Sequence, residues 1–142
     1  MDSDPFRLQR FIDAQEGVHA RALDELRAGR KTTHWMWFVF PQVAGLGSSA
    51  MAQRYAIGSL EEARAYLAHP VLGPRLVECT EAVLSHPDRT AHQILGSPDD
   101  VKLRSSMTLF VLVAGPESVF QRVLDAFFDG ETDTRTVDLV EA

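Results

Sequence analysis

Apolar residues recur along most of this chain at spacings of three and four, and the strict alternation that is typical of a strand is scarce. Near the start, Asp4 followed by Pro5 predicts an N-cap and a first helical residue, before an apolar stripe that ends near Gly17. A second short helix is predicted over residues 18–28, because Gly29 stops it. The pattern therefore favours helices from the outset.

Capping signals continue this pattern through the middle of the chain. Ser59 with Glu62 three positions later is a capping-box signature, and the helix that it opens is predicted to end at His69, before Pro70. The next helix is predicted from about 70 to 85, and its apolar stripe includes Cys79. Thr90 is predicted to cap a single turn.

The clearest helix signal lies at Ser97, Pro98 and Asp100, which predict an N-cap, a first helical residue and an acidic first turn. The helix runs to Ala114, and because its second half is apolar on every side we expect it to be central and buried. Gly115 and Pro116 are predicted to break this helix and to start the last one, whose wide apolar face ends before Gly130.

These elements predict an all-α fold, a compact single-domain bundle of about six or seven short helices around a central buried helix at about 97–114. The single domain is predicted to span residues 1–142, since no linker divides the chain. The acidic end from about residue 131 has few large apolar groups, and we expect it to be loosely ordered.

Composition narrows the function classes. A formal net charge of −6 argues against binding to phosphate backbones, so no nucleic-acid partner is predicted. The chain has no long apolar segment, so no membrane association is predicted. Its start lacks the pattern of a secretory signal, which predicts a cytoplasmic location. The single cysteine, Cys79, lies on an apolar helical stripe, which favours core packing over a nucleophile.

Common catalytic signatures are missing from the sequence. It contains no phosphate loop, no GxGxxG, no paired CxxC and no HExxH, and its five histidines lack the spacing of a metal site. Neither a metal nor a cofactor is predicted, and whether the protein is an enzyme stays open at this stage.

Two segments combine groups that could bind a ligand. In the first, HWMWFVFPQ, aromatic faces stand beside hydrogen-bonding side chains, as a flat heteroaromatic ligand requires. In the second, DDVKLRSSMTLF, helical spacing places a polar stripe on one face of the central helix. The candidates in these segments are His34, Trp35, Trp37, Gln42, Asp99, Asp100, Lys102, Ser105 and Ser106.

Three interpretations remain open. In the first, the polar residues converge on a small-molecule pocket. In the second, the aromatic segment is an exposed groove for a protein partner, and in the third both segments only specify the fold. The first requires one cavity to be lined by His34, Gln42, Asp99 or Asp100, Lys102 and Ser105. The second requires Trp35 or Trp37 to be exposed.

Five motifs, in order, carry a resemblance to a known family. They are HWMWFVFPQ, GLGSS with a following Tyr55, HPVLGPRL, ILGSPDDVKLRSSMTLF and VFQRVLDAFFDGETDTRT. The chain resembles the bacterial family catalogued as domain of unknown function 1810 over roughly residues 5–137, which implies a mainly helical single domain. The calpastatin label sometimes given to that family does not suit this composition, since a long, disordered inhibitor would look different. Tyr55, within these motifs, joins the ligand-binding candidates.

The order of helices and the G-x-x-D-x-x-T end are also similar, more distantly, to the NADAR proteins, N-glycosidases that act on ribosylated substrates. That similarity implies a carboxylate near a sugar, at Asp99 or Asp100, and a proton donor at His34. It further implies a phosphate or leaving-group contact at Lys102. Stacking is implied for Trp35 or Trp37, and contacts with sugar hydroxyls for Gln42, Ser48, Ser105 and Ser106. A nucleotide-like or ADP-ribosyl-like ligand, with or without N-glycosidase hydrolysis, is the function that we expect.

Overall fold

The computed structural model describes residues 4–141, which form ten helices joined by turns and loops. They are α1 (Gln9–Gln15), α2 (His19–Arg27), α3 (Met36–Val39), α4 (Ala50–Arg54), α5 (Leu60–Ala68), α6 (Leu72–Leu84), α7 (Ala91–Leu95), α8 (Asp99–Ala114), α9 (Val119–Phe127) and α10 (Thr134–Glu141). The prediction of an all-α fold is confirmed. The described residues form ten helices rather than six or seven, because the predicted number does not include the short helices α3 and α4 or the last helix α10. None of these ten helices combines the length and the apolar character needed to cross a membrane.

The long helices α8 and α6 form the centre of the packing. Helix α8 packs against α5, α7, α9 and α10, and α6 packs against α2, α5 and α9. Every residue from 105 to 110 is buried, which confirms that α8 is the central helix. Its apolar end nevertheless reaches the surface, because Leu112 keeps 38% of its surface exposed.

The start of α8 differs from the prediction. The helix begins at Asp99, and no side chain caps it at the preceding Pro98, so Ser97 is not the N-cap. A turn precedes the helix, in which the Asp100 amide donates to the carbonyl of Gly96 at 2.9 Å. The Asp100 carboxylate accepts the Val101 amide at 2.9 Å, so it satisfies one of the free N–H groups of the first helical turn.

The first helix also begins later than predicted. Asp4 acts as a cap, since its carboxylate accepts the amides of Leu8 at 2.8 Å and Gln9 at 3.0 Å. These bonds lower the pKa of Asp4 below its usual value. A turn separates Asp4 from α1, so Pro5 is not its first residue.

Three other predicted helix boundaries are confirmed. Ser59 caps α5 by accepting the Glu62 amide at 3.1 Å, and α5 ends before His69. The Glu62 side chain accepts the amide of Gly58 rather than that of Ser59, so the reciprocal bond of the capping box is shifted by one residue. Thr90 and Gln93 form a complete capping box at α7.

The acidic end of the chain forms α10, although we expected it to be loosely ordered from about residue 131. Asp133 caps this helix by accepting the Thr136 amide at 3.2 Å. Thr136 is fully buried, and Leu139 packs on Gly45. Few large apolar side chains are needed to order α10, because hydrogen bonds and close packing attach it to the rest of the domain.

Helices α5 and α6 approach each other closely at Gly73. A Cβ atom added at Gly73 would lie 2.0 Å from the backbone oxygen of Leu67. Only glycine therefore fits at this position in the segment HPVLGPRL. The same helix α6 buries Cys79, and burial raises the pKa of its thiol to about 12. A buried thiol that stays protonated agrees with core packing rather than nucleophilic chemistry.

Candidate functional site

Glu25, on α2, organises the start of the aromatic segment. Its carboxylate accepts the backbone amides of Thr32 at 2.8 Å and Thr33 at 3.0 Å. It also accepts the Thr33 hydroxyl at 2.6 Å and the indole N–H of Trp35 at 3.0 Å. One side chain thus satisfies four donors from residues 32–35.

The same bonds set the charge state of Glu25. Burial by itself raises the pKa of this carboxyl, but the hydrogen bonds from Thr33, Thr32 and Trp35 together outweigh it and lower the pKa to about 2. Glu25 is therefore ionised at neutral pH although only 9% of its surface is exposed.

Neither Thr32 nor Thr33 caps the short helix of the aromatic segment. Helix α3 begins at Met36, after Trp35, and no side chain caps it. The threonines bond to Glu25 instead, because the chain approaches α3 across the end of α2. Trp35 is fully buried, so it belongs to the core, whereas Trp37 is half-buried and packs against the core.

Asp99 connects the aromatic segment to the start of α8. Its carboxylate lies 2.8 Å from Nζ of Lys31 and 3.7 Å from Nζ of Lys102. The ammonium of Lys31 lies 5.1 Å from the ring centroid of Trp35, and that of Lys102 lies 6.0 Å from the ring centroid of Trp37. These distances are within or at the limit of cation–π attraction, so the two segments meet through charge as well as packing.

A cavity of about 270 Å³, here called the Lys102 cleft, lies beside this contact. Segment 42–47, the first turns of α8 and the residues around the start of α10 form its walls. Its lining consists of Gln42, Leu46, Gly47, Pro98, Val101, Lys102, Ser105, Asp133 and Arg135. The fold therefore brings three predicted candidates, Gln42, Lys102 and Ser105, to one concave surface.

Asp133 forms the wall opposite the start of α8 through a network of bonds. It accepts the Ser105 hydroxyl at 3.0 Å, and it accepts both the amide and the hydroxyl of Thr136. Its own amide donates to the Thr108 hydroxyl at 2.9 Å. This network attaches the G-x-x-D-x-x-T segment to α8, so Asp133 already has partners for its negative charge.

Several predicted candidates lie outside the cleft lining. His34 and Ser48 are exposed, and the ring of Tyr55 is buried against Phe11 and Phe38. Ser106 is fully buried, and its hydroxyl has no hydrogen-bond partner among the described residues.

The predicted acids are held by other contacts. Asp100 caps the first turn of α8 and lies 3.5 Å from His92, and it does not line the cleft. Asp99 reaches the cleft only through its contact with Lys102. Within residues 4–141, no three His, Cys, Asp or Glu side chains gather closely enough to hold a metal ion.

Sequence reasoning missed Asp133 and Arg135 as parts of this site, because both lie in the end that we expected to be loose. It also missed Glu25. The signal for Glu25 was present in the sequence, since this acid stands next to Leu26 and three residues after Ala22 on the buried face of α2. An acidic residue on an apolar helical face needs partners, and those partners are the donors of the aromatic segment.

A larger concavity, of about 740 Å³, lies between α6 and α9 and contains none of the predicted candidates. Its lining is mostly apolar, and three of its polar groups already have partners: Arg75 bonds to Gln15, Glu78 to His19, and Ser118 caps α9. Because a binding site needs polar groups that are free to orient a ligand, the smaller Lys102 cleft is the better candidate.

The fold and the cleft define an all-α domain whose candidate site lies where its aromatic segment meets its central helix. The family described as "Protein of unknown function (DUF1810)" matches residues 5–140, and the chain belongs to this family. It is similar to a conserved hypothetical protein, Rv1873 from Mycobacterium tuberculosis, whose crystal structure is known. The two are 53% identical over 98% of this chain and 99% of that one, with a TM-score of 0.95. No curated protein matches the chain.

Proposed function

We propose that this protein binds a small nucleotide-like or ADP-ribosyl-like molecule in the Lys102 cleft, in the cytoplasm. One observation carries this proposal: Gln42, which follows α3, lines one cavity with Lys102 and Ser105 of the distant helix α8. The side-chain amide of Gln42 makes no hydrogen bond to another residue in the range 4–141, so its donor and acceptor are free for a ligand.

Binding is better supported than hydrolysis. Cleavage of an N-glycosidic bond needs a carboxylate near the sugar and a proton donor for the departing base. Asp99 is paired with Lys31 and Lys102, and Asp133 accepts three hydrogen bonds. The predicted proton donor, His34, does not line the cleft. The function that the site supports is therefore binding without hydrolysis.

A protein-docking role for the aromatic segment has less support. Such a role needs large exposed apolar rings, but Trp35 is fully buried and its N–H is bonded to Glu25. The half-buried Trp37 alone presents too little surface for an anchor of that kind.

A thermal-shift screen against AMP, ADP-ribose, NAD and a ribosylated base tests the proposal. A ligand at about 100 times its Kd stabilises the native state by about 2.7 kcal/mol, which raises Tm by several degrees. Lys102→Ala should remove the shift. Arg64→Ala is the matched control, because Arg64 is an exposed cation that lies outside the cleft.

His34→Ala should keep the shift, since His34 is outside the lining. Chromatography of the incubated ligand should return it intact. If no compound raises Tm, or if Lys102→Ala keeps the full shift, the proposed function is wrong.

A further inference from the structure

The size of the Lys102 cleft limits what can enter it. Ligand pockets for drug-sized molecules commonly measure about 300–1,000 Å³. At about 270 Å³ the cleft is smaller than that range. A complete ADP-ribose or NAD molecule is therefore too large, and only one portion of such a molecule can be enclosed.

The charge of the lining favours an anion. Its ionised side chains are Lys102, Arg135 and Asp133, which sum to one positive charge in a protein whose formal net charge is −6. Hydrogen bonds from the Ser105 hydroxyl and the Thr136 amide already compensate part of the negative charge of Asp133.

Both cations retain binding capacity. Asp99 is closer to Lys31, at 2.8 Å, than to Lys102, at 3.7 Å, so it compensates Lys102 only in part. Arg135 donates to the carbonyl of Gly45 at 3.3 Å and forms no ion pair within residues 4–141. The two cations come from different helices, α8 and α10, and line the same cavity.

The uncharged polar groups of the lining suit hydroxyl groups. Ser105 uses its single hydroxyl proton toward Asp133, at 3.0 Å, which leaves the lone pairs of its oxygen for a hydroxyl donor of a ligand. The amide of Gln42 can donate and accept at the same time. Together they provide partners for at least two hydroxyl groups.

No aromatic ring lines the cleft among the residues that the structure describes. Trp35 is in the core, and Trp37, whose ring centroid lies 6.0 Å from the ammonium of Lys102, is not part of the cavity lining. A nucleobase would therefore find no surface on which to stack.

We infer that the group which occupies the Lys102 cleft is a small hydroxylated anion, either a sugar phosphate or a hydroxy acid, and that a base attached to it stays outside. Lys102 and Arg135 bind the anionic group, while Gln42 and Ser105 bind the hydroxyls. This inference rests on the proposed function, whose ligand it divides into an enclosed part and an external part.

Thermal shift and calorimetry with small probes test this division. Ribose 5-phosphate and gluconate represent the two sources of the anion. Ribose and adenosine carry hydroxyls without the negative charge, and inorganic phosphate carries the charge without the sugar hydroxyls. One of the two hydroxylated anions should bind, and neutral ribose and adenosine should bind at least tenfold more weakly. Binding should weaken as salt is added, because the interaction is ionic.

Two variants locate the site. Lys102→Met and Arg135→Gln should each reduce affinity for the bound anion by about tenfold or more, since each removes a charge-assisted contact. Arg135 is exposed, so its variant remains folded even if Lys102→Met disturbs the packing around Trp37. Arg64→Gln should bind like the wild type.

The outcomes separate this inference from the proposed function. If adenosine binds as well as the anions, the cleft takes the base, so the inference is wrong while nucleotide binding stands. If inorganic phosphate binds as tightly as the hydroxylated anions, the hydroxyls are not needed and the inference is wrong. If Lys102→Met and Arg135→Gln both keep full affinity, the anion binds elsewhere and the inference is also wrong. If AMP, ADP-ribose and NAD do not bind at all, the proposed function itself fails.

Discussion

The indole nitrogen of Trp35 lies 3.0 Å from a carboxylate oxygen of Glu25, and this bond joins the fully buried ring of the aromatic segment to helix α2. The same oxygen accepts the amides of Thr32 and Thr33. The geometry of the whole segment that precedes the Lys102 cleft therefore depends on one buried acid.

Glu25→Ala should destabilise the protein by roughly 3 kcal/mol or more, because it leaves several buried donors without acceptors. Glu25→Gln should cost less. The side-chain oxygen of the glutamine can still accept from the three N–H donors. Its NH2 group would then donate to the Thr33 hydroxyl, which can rotate to accept. Chemical denaturation measures both, with Glu117→Gln at an exposed position as the control. Equal stability of Glu25→Ala and wild type would contradict this role.

Glu25 also predicts an acid-dependent loss of stability. The pKa of its carboxyl in the folded protein is about 2, below the ordinary value of 4.5, so its contribution is complete above about pH 4.5 and is lost as the pH falls toward 2. The shift corresponds to about 3 kcal/mol. Denaturation curves recorded between pH 6 and pH 2 should show this loss in the wild type. In Glu25→Gln the loss should be smaller, and parallel curves for the two proteins would exclude it.

Gly73→Ala should destabilise the fold, although alanine normally favours a helix by up to about 1 kcal/mol over glycine. The added methyl group would lie 2.0 Å from the Leu67 carbonyl, so α5 and α6 must separate. We expect a cost of about 3 kcal/mol or more, seen as a fall in Tm. Gly58→Ala is the control, since its nearest contact would be an ordinary 3.4 Å from Glu62. A Tm at or above that of the wild type would disprove the close approach.

Asp133→Ala should loosen α10. The substitution removes the acceptor for Ser105 and Thr136, and with it the cap of the helix. Amide hydrogen exchange in residues 134–141 should become at least tenfold faster while α6 keeps its protection. Asp138→Ala, at an exposed position of the same helix, should exchange almost as the wild type does. Unchanged protection after Asp133→Ala would show that packing alone holds α10.

Much of the fold could be predicted from the sequence, because helix boundaries depend on local chemistry. Ser59 and Thr90 act as caps, His69 marks the end of α5, and α8 is buried at its centre. Each of these features depends on residues within one or two helical turns, and periodicity and capping rules describe that range. The starts of α1 and α8 were less well predicted, since a turn precedes each helix.

The candidate site could be predicted only in part. The polar stripe and the aromatic segment were visible as patterns, and Gln42, Lys102 and Ser105 do line one cavity. No local pattern distinguished Trp35, which is core, from Trp37, which is half-buried with its ring centroid 6.0 Å from the Lys102 ammonium. The difference depends on where α2 places Glu25.

The helical class, the central helix and the residue types available for binding can be predicted from the chain alone, since these follow from local spacing and side-chain chemistry. Which of those residues face one another depends on how the helices pack. Asp133 and Arg135 reach the cleft because hydrogen bonds of Asp133 with Ser105 and Thr108 attach the start of α10 to α8. Bonds between residues more than twenty positions apart leave no periodic signal along the chain, so the cleft appears only when the helices are packed.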